Sequence, residues 1–304
     1  MRKLLLVLFG LTALFLKAQT ETDGLFMAKR NLCGGFIYGH SSWNKYWEGT
    51  FFRNNANIGT VTSHMVMGMA NYGITSRTNI IASAMWVSNR ASAGTLKGMK
   101  GLQDLNLFLK QELMAQNISG FNTSIVAVAG VSAPLTNYVA DYLPLSIGLR
   151  SKTASLRLLA DVQKGHWYGT ASAAYMRRGK VSIDRNAYYT TEMVYSNIVA
   201  MPDMFMYNLR FGWRDGSDKY AELVVDRMNT LGGFDMRKND MPFLSNNMES
   251  FRVGLNVKYP IPKTNGLSFV ANGMNTLVGR NMGKATSIMA GFVYQAEFRK
   301  GKKQ

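Results

Sequence analysis

Residues 204–214 read Met-Phe-Met-Tyr-Asn-Leu-Arg-Phe-Gly-Trp-Arg, and every second side chain in this stretch is large and apolar. The apolar face consists of Phe205, Tyr207, Leu209, Phe211 and Trp213. Alternation with a period of two indicates a β-strand with one apolar and one polar face. Aromatic residues stand at both ends of the apolar face, as in strands whose ends lie at lipid–water interfaces. The stretch therefore predicts a membrane-spanning strand.

The same alternation recurs elsewhere in the chain. Residues 251–259 place Phe, Val, Leu, Val and Tyr on one face, and residues 105–113 place leucines on one face against charged and amide side chains on the other. The last such segment, 288–298, ends on the aromatic Phe298, which resembles the sorting signal of outer-membrane barrels. A basic tail, 299–304, follows it. The final strand of a barrel is therefore expected at 288–298.

Short and long connections between the predicted strands alternate along the chain. Short turns are expected at 72–76, 115–118, 164–166, 215–218 and 261–265. Longer loops are expected at 42–57, 90–101, 132–152, 180–202, 231–248 and 279–284. Outer-membrane barrels have short periplasmic turns, long external loops and an even number of strands. We therefore predict an all-β fold, an antiparallel transmembrane β-barrel of twelve strands with both termini on the short-turn side. Ten or fourteen strands are the alternatives.

The first residues of the chain predict export. Arg2 and Lys3 precede the apolar run 4–16, and Ala18 is a small residue suited to a cleavage site. Such a run is too short to span a bilayer as a helix, so residues 1–18 are predicted to be a cleaved signal peptide. Residues 19–304 are predicted to form one barrel domain in a bacterial outer membrane, since no linker composition interrupts them.

The chain is strongly basic, with a formal net charge of +17, and removal of the predicted signal peptide leaves about +14. An exported chain without a nucleic-acid-binding motif is not expected to bind nucleic acid. We expect the positive charge to lie near the anionic headgroups of outer-membrane lipid. Cys33 is the only cysteine, which excludes an internal disulfide.

Three stretches resemble the transporter family named after the phenol meta-cleavage pathway. Residues 72–77, Tyr-Gly-Ile-Thr-Ser-Arg, resemble the family turn YGLTDR. Residues 98–105 resemble the family's GxGDL entry to the next strand, with Gln103 where glycine is usual. Gly-Arg-Asn at 279–281 fits a third position before the final strand. The resemblance extends over residues 58–298 and implies an outer-membrane barrel that passes small hydrophobic compounds.

Charged residues on the polar faces of the predicted strands are the first candidate site. They are Asp104, Lys110, Glu112, Arg157, Asp161, Arg210, Arg214, Glu222, Asp226, Arg252, Lys258 and Glu297. These side chains are predicted to line the lumen. Two interpretations remain open: a charged pore lining that sets selectivity, or cross-strand ion pairs that fill a closed barrel.

The predicted external loop 42–57 is the second candidate, because it concentrates large aromatic residues. They are Trp43, Tyr46, Trp47, Phe51 and Phe52. Exposed aromatics in this loop would form a surface that captures an apolar ligand. The alternative, which we favour, is that these side chains fold inward over the barrel or lie in the outer interface.

Metal binding and catalysis have little support. Met65, Met67 and Met69 share a face beside His64, and thioethers suit Cu(I), but a chain with 20 methionines makes this coincidence common. Loop 231–248 contains aspartates without the spacing of a calcium loop. We predict no metal, no cofactor and no catalytic residues, since no nucleophile motif accompanies the three histidines.

The sequence thus predicts a channel or facilitator for small apolar or amphipathic molecules. The alternative is a closed barrel that serves as a structural subunit of an outer-membrane protein complex, with protein partners in the same membrane. A lipid-modifying enzyme is a distant third hypothesis.

Overall fold

Twelve β-strands form a closed antiparallel barrel in the computed structural model, which describes residues 20–216, 219–238 and 240–297. In chain order they are β1 (Asn31–Trp43), β2 (Val61–Gly73), β3 (Thr78–Ala91), β4 (Lys100–Ile118), β5 (Phe121–Pro134), β6 (Thr153–Lys164), β7 (Trp167–Arg178), β8 (Met204–Asp215), β9 (Lys219–Thr230), β10 (Glu249–Pro260), β11 (Leu267–Arg280) and β12 (Thr286–Glu297). The predicted fold and strand number are confirmed.

Each strand pairs with its neighbours in sequence, and β1 closes the barrel against β12. The closing register aligns Asn31 with Glu297 and Ser42 with Thr286. The start of β1 and the end of β12 therefore lie on the side of the short turns, as predicted. The predicted signal peptide, 1–18, lies outside the described residues, and so do Phe298 and the basic tail.

One predicted turn is wrong. Residues 115–118 continue β4, and the turn is made by Ser119 and Gly120, whose φ angles are 52° and 82°. Two consecutive residues with positive φ match the right-handed twist of the flanking strands, so a two-residue hairpin suffices. The turn was misplaced because polar residues of β4 extend the strand beyond its apolar stretch.

The outer surface of the barrel carries a band of exposed apolar side chains. Leu158, Leu209, Leu255 and Ile288 are each more than half exposed, while the residues next to them in sequence face inward. Such a band would be costly in water and is suited to lipid. A closed antiparallel barrel with this band is the architecture of bacterial outer-membrane proteins, which confirms the predicted location.

Lysines at the short-turn end mark the edge of this band. The Nζ of Lys164 lies 4.5 Å from the centre of the Phe121 ring. The Nζ of Lys219 lies 5.4 Å from the ring centres of both Trp213 and Tyr259. Amphipathic rings with a cation above them are typical of a membrane interface. No helix in the described ranges is long and apolar enough to cross a membrane.

The long loops form a cap with a core of its own. Ala140 from loop 135–152, Val181, Ile183, Val199 and Met201 from loop 179–203, and Phe243 and Leu244 from loop 231–248 make one buried cluster. Short hairpins inside the loops, Val181–Ser182 with Ile198–Val199 and Lys45–Glu48 with Phe51–Asn54, give the cap regular backbone pairing. We call this assembly the extracellular cap.

Candidate functional site

Strand β2 shows how the lumen is organised from one end to the other. At its extracellular end Val61 packs in a buried cluster with Leu145 of the cap. Further along, Met65 packs against Val87, Tyr138 and Ile147, the last two also from the cap. At the opposite end the carbonyl of Gly73 accepts a hydrogen bond of 2.8 Å from the backbone N–H of Arg30. The lumen is therefore covered by the cap outside and by the chain before β1 inside.

Residues 20–28 enter the lumen from the periplasmic end and form a plug. Lys110 on β4 is completely buried and holds this segment. Its Nζ donates to the carbonyls of Thr20 and Leu25 at 2.9 and 2.8 Å, and to Oδ1 of Asp23 at 2.9 Å. Since an ammonium group has three N–H donors, the charge of Lys110 is fully satisfied by the plug.

The plug also contacts the other walls of the barrel. The guanidinium of Arg210 donates to the hydroxyl of Thr22. Gly24 lies against the side chain of Asp161 with no room for a Cβ. The Nε2 of Gln295 on β12 lies 3.0 Å from the Sδ of Met27. Contacts with β4, β6, β8 and β12 fix the segment from all sides.

The charged residues on β6 to β10 are paired with one another. Arg210 donates to Glu222 at 2.8 Å and Arg214 to Asp161 at 2.6 Å, with both members of each pair buried. Glu222 also accepts hydrogen bonds from the Tyr168 hydroxyl and, at 2.7 Å, from the Asn256 amide. Breaking one partner of such a pair leaves a buried charge and costs roughly 3–5 kcal/mol.

The other predicted lumenal residues are arranged similarly. The Arg252 guanidinium donates to Asp226, Arg157 to the Ser172 hydroxyl at 2.9 Å, and Arg77 pairs with Glu112 at 3.4 Å. Asp104 accepts a hydrogen bond of 2.8 Å from the Tyr138 hydroxyl of the cap, Lys258 is 2% exposed, and Glu297 is exposed at the periplasmic end. All twelve predicted side chains lie on the inward face of their strands. That they line a conducting pore stays a prediction.

A cavity of about 490 Å³ lies between the plug and the cap. One wall is apolar, with Met67, Met69 and Met289 beside Ile37, Phe108 and Val293. The other is formed by Tyr220 and the uncharged amides of Asn256 and Asn272 on β9 to β11, while Asn106 lies on β4 beside Phe108. Among the described residues that line the cavity, Glu21 of the plug is the only charged one. Two unlike walls can hold a molecule that has an apolar body and a polar, uncharged group.

The structure separates the aromatic residues of loop 42–57. Trp43 and Tyr46 line a second, smaller cavity inside the cap, and Trp47 is buried. Phe51 and Phe52 are exposed at the tip of the hairpin. The Trp47 and Phe52 rings remain in contact, with centres 5.0 Å apart. That these five side chains capture an apolar ligand stays a prediction.

Asn281 joins three loops of the cap. Its buried amide oxygen accepts hydrogen bonds from the N–H groups of Gly49 and Met236, at 2.7 and 3.0 Å. Its amide nitrogen donates to Asp235 and to the carbonyl of Asn247, both at 2.7 Å. The hydrogen bonds from Arg280 and Asn281 hold the pKa of Asp235 below its ordinary value, despite the opposing effect of burial. The Asp235 carboxylate is thus engaged in hydrogen bonds within the cap.

The methionines and the histidine considered for copper face opposite ways. Met67 and Met69 line the lumenal cavity, whereas His64 hydrogen bonds to the exposed Tyr38 hydroxyl at 2.7 Å on the outside. In the described ranges no group of three or more His, Cys, Asp or Glu side chains is arranged to hold a metal ion.

Sequence reasoning missed the plug and the amide wall of the cavity. Thr20 to Gly24 show no periodicity, so no strand pattern points to them. The signal that was available is the position of Lys110, a lysine on an inward face, since a buried lysine requires partners. The chain places those partners ninety residues away, as the contact from Lys110 to Thr20 shows.

No protein-family model and no curated protein matches the chain. Solved structures do match. An outer membrane channel from Pseudomonas putida F1 is 14% identical, with a TM-score of 0.70, over 92% of this chain and 99% of that one. The translocator domain of the autotransporter NalP from Neisseria meningitidis is 10% identical over 87% of both chains, with a TM-score of 0.45. A mutant of the monoaromatic hydrocarbon channel TodX is also 10% identical with a TM-score of 0.45, over 90% of this chain and 91% of that one. The match to the Pseudomonas putida F1 channel shows a shared barrel fold. The TM-scores of the other two structures are too low to support a conclusion.

Proposed function

We propose that this chain is an outer-membrane channel that facilitates the passage of small, uncharged amphipathic molecules through the barrel lumen. The channel from Pseudomonas putida F1, which has the same barrel fold over nearly its whole length, supports a channel role. The family resemblance of residues 58–298 to transporters of the phenol meta-cleavage pathway agrees with a small hydrophobic solute.

The observation that carries the proposal is the pair of unlike walls around the lumenal cavity. Thioethers are flexible and polarisable, so Met67 and Met289 can adapt to apolar rings of different shape. The amides of Asn256 and Asn272 on the other wall can both donate and accept hydrogen bonds, which suits a hydroxyl or carbonyl group. The charges of the neighbouring wall are already paired, and Glu21, the charged residue that lines the cavity, repels an anionic solute.

Passage requires movement at both ends of the cavity. The plug blocks the periplasmic side through Lys110, and the cap blocks the other through Tyr138 and Ile147. Solute that enters the cavity is therefore released when the plug moves. This mode is a gated facilitator and differs from an open, water-filled porin.

Filling the cavity tests the proposal. We expect Met289→Trp to abolish the part of phenol uptake by proteoliposomes that exceeds uptake by empty liposomes, because the larger ring occupies the space between the walls. Ile288→Trp is the matched control, since Ile288 is the next residue and is 63% exposed to the outside. We expect its uptake to equal that of the wild type. The excess over empty liposomes should be smaller for benzoate, which carries a charge, than for phenol.

A closed structural barrel is the second candidate function. It is favoured by the buried ion pairs and the plug, which fill and rigidify the lumen. On this hypothesis the protein supports other outer-membrane proteins and transports nothing. Phenol uptake by the wild type no faster than by empty liposomes, together with co-purifying membrane proteins, would favour it over the channel.

A further inference from the structure

A second cavity, separate from the lumen, lies inside the extracellular cap. It has a volume of about 170 Å³ and shares no lining residue with the lumenal cavity. Trp43 at the end of β1, Tyr46, Leu143, Met236, Met248 and Met282 form most of its wall. Four segments of the cap meet here, so the cavity exists only when the cap is assembled.

The wall of this cavity offers nothing to a charged ligand. None of the described lining residues is charged. The one side-chain amide, that of Asn281, already makes four hydrogen bonds to Gly49, Met236, Asp235 and Asn247. A charged or strongly polar ligand would lose its hydration without compensation. The cavity therefore selects an apolar ligand.

The volume indicates the size of that ligand. An enclosed apolar cavity of about 150 Å³ binds benzene, and this pocket, which is partly open, has a similar volume of about 170 Å³. The Trp43 ring gives an aromatic ligand a face or an edge to pack against. The sulfurs of Met236 and Met248 make favourable contacts with ring edges.

The position of Trp43 depends on Gly283. A Cβ at Gly283 would overlap the Trp43 ring, so the glycine provides the space in which the indole lies against the backbone. Gly283 is followed by Lys284, whose N–H donates to the carbonyl of Lys45 at 2.8 Å and fixes the loop to the hairpin. The ring that faces the cavity is thus held in place before any ligand arrives.

We propose that this cavity is an extracellular binding site for one monocyclic aromatic hydrocarbon, such as benzene or toluene. The inference rests on the proposed function, since capture of an apolar ring at the cell surface raises its local concentration beside the channel. The site binds an apolar ring, and the lumenal cavity passes ring compounds that also carry a polar, uncharged group.

The test is direct binding of fluorobenzene, followed by ¹⁹F NMR, to the full-length protein in lipid nanodiscs, with empty nanodiscs as the background. We expect a saturable bound signal for the wild type and at least a tenfold loss of affinity for Met248→Trp, which fills the cavity. Met241→Trp is the matched control. Met241 lies in the same loop, is 42% exposed and does not line this cavity, so its affinity should be unchanged.

A second variant tests the site independently in case Met248→Trp does not fold. Met248→Ala enlarges the cavity and should shift the preference from fluorobenzene toward fluoronaphthalene. No saturable signal in the wild type, or equal signals in the wild type and Met248→Trp, would overturn the site. Phenol uptake distinguishes this proposal from the channel itself. Fluorobenzene binding without phenol transport would leave the site standing and remove the proposed function.

Discussion

At the scale of single residues, Asn281 makes the most contacts between separate segments of the cap. Its φ angle of 52° lies in the left-handed region, which asparagine adopts more readily than most side chains do. The same residue satisfies two buried N–H groups of other loops. Its place in the resemblance at 279–281 thus has a physical explanation, because one residue meets both a backbone and a hydrogen-bonding requirement.

We predict that Asn281→Gly lowers the free energy of unfolding by roughly 1–3 kcal/mol, the cost of leaving buried polar groups without partners. Glycine tolerates the left-handed backbone, so backbone strain does not add to the loss. Asn275→Ala is the control, because the Asn275 amide donates to the Thr286 hydroxyl at an exposed position. Thermal unfolding in detergent measures both variants. Equal stability of the two would show that the cap does not depend on Asn281.

The sequence predicted which side chains face the lumen, but it did not predict the residues with which they pair. The period of two assigns Lys110, Arg210 and Glu222 to the inward face, because the pleat alternates side chains. It could not pair Arg210 with Thr22 or Lys110 with Asp23. Those partners belong to the plug, whose contacts depend on the closed barrel.

At the scale of elements, strand β10 tests the two faces of the wall. Leu255 is 61% exposed on the outside, and the amide of Asn256, on the inside, donates to Glu222 at 2.7 Å. We predict that Leu255→Arg lowers stability in bilayers by roughly 2–4 kcal/mol, the cost of arginine near the midplane. Asn256→Arg places its charge in a polar lumen beside Glu222 and should fold better. Refolding yield in vesicles, followed by gel mobility without boiling, compares them. Equal yields would contradict the assignment of faces.

The plug is the element whose removal should change conductance. We predict that Lys110→Met weakens the plug, because it leaves the buried carboxylate of Asp23 without the lysine it pairs with. Recordings in planar bilayers should then show openings that are rare in the wild type. Lys164→Met is the charge-matched control, since Lys164 contacts Phe121 at the membrane interface and not the plug. A Lys110→Met protein that shows no more openings than the wild type would contradict the role of the plug as a gate.

Strands β2 and β3 lack the clear alternation that predicts the other strands. Their inner faces carry Met67 and Met85, and their outer faces carry small residues such as Ala70 and Ala84, so the two faces differ little in polarity. The alternating lengths of turns and loops located them nonetheless. The order of turns and loops therefore identified these two strands, although the difference in hydrophobicity between their faces was too small to do so.

At the scale of the whole molecule, orientation in the membrane is testable in intact cells. Met241 lies in a long loop and is 42% exposed, while Ile74 lies in a short turn and is 44% exposed. We predict that a membrane-impermeant thiol reagent labels Met241→Cys from outside and leaves Ile74→Cys unlabelled until the cells are broken. The native Cys33 is buried and adds little background. The reverse pattern would mean that the barrel is inserted the other way.

The architecture was predictable as a whole, and the contents of the lumen were not. Alternation and loop lengths define a barrel, since both follow from local sequence and a simple closure rule. The cap and the plug have no periodic pattern, and their cores combine residues from distant loops, such as Ala140, Ile183 and Leu244. The structures of the cap and the plug depend on contacts between segments that are distant in sequence.

The contacts of the plug also have a mechanical consequence. Gly24 lies against Asp161 on β6, and Met27 contacts Gln295 on β12, which is diametrically opposite in the ring of twelve strands. The plug therefore acts as a cross-brace that resists flattening of the tube into an ellipse under lateral membrane pressure. When the segment leaves, the wall loses this brace and becomes more compliant. In the proposed channel, release of the plug would both clear the passage and let its bore widen.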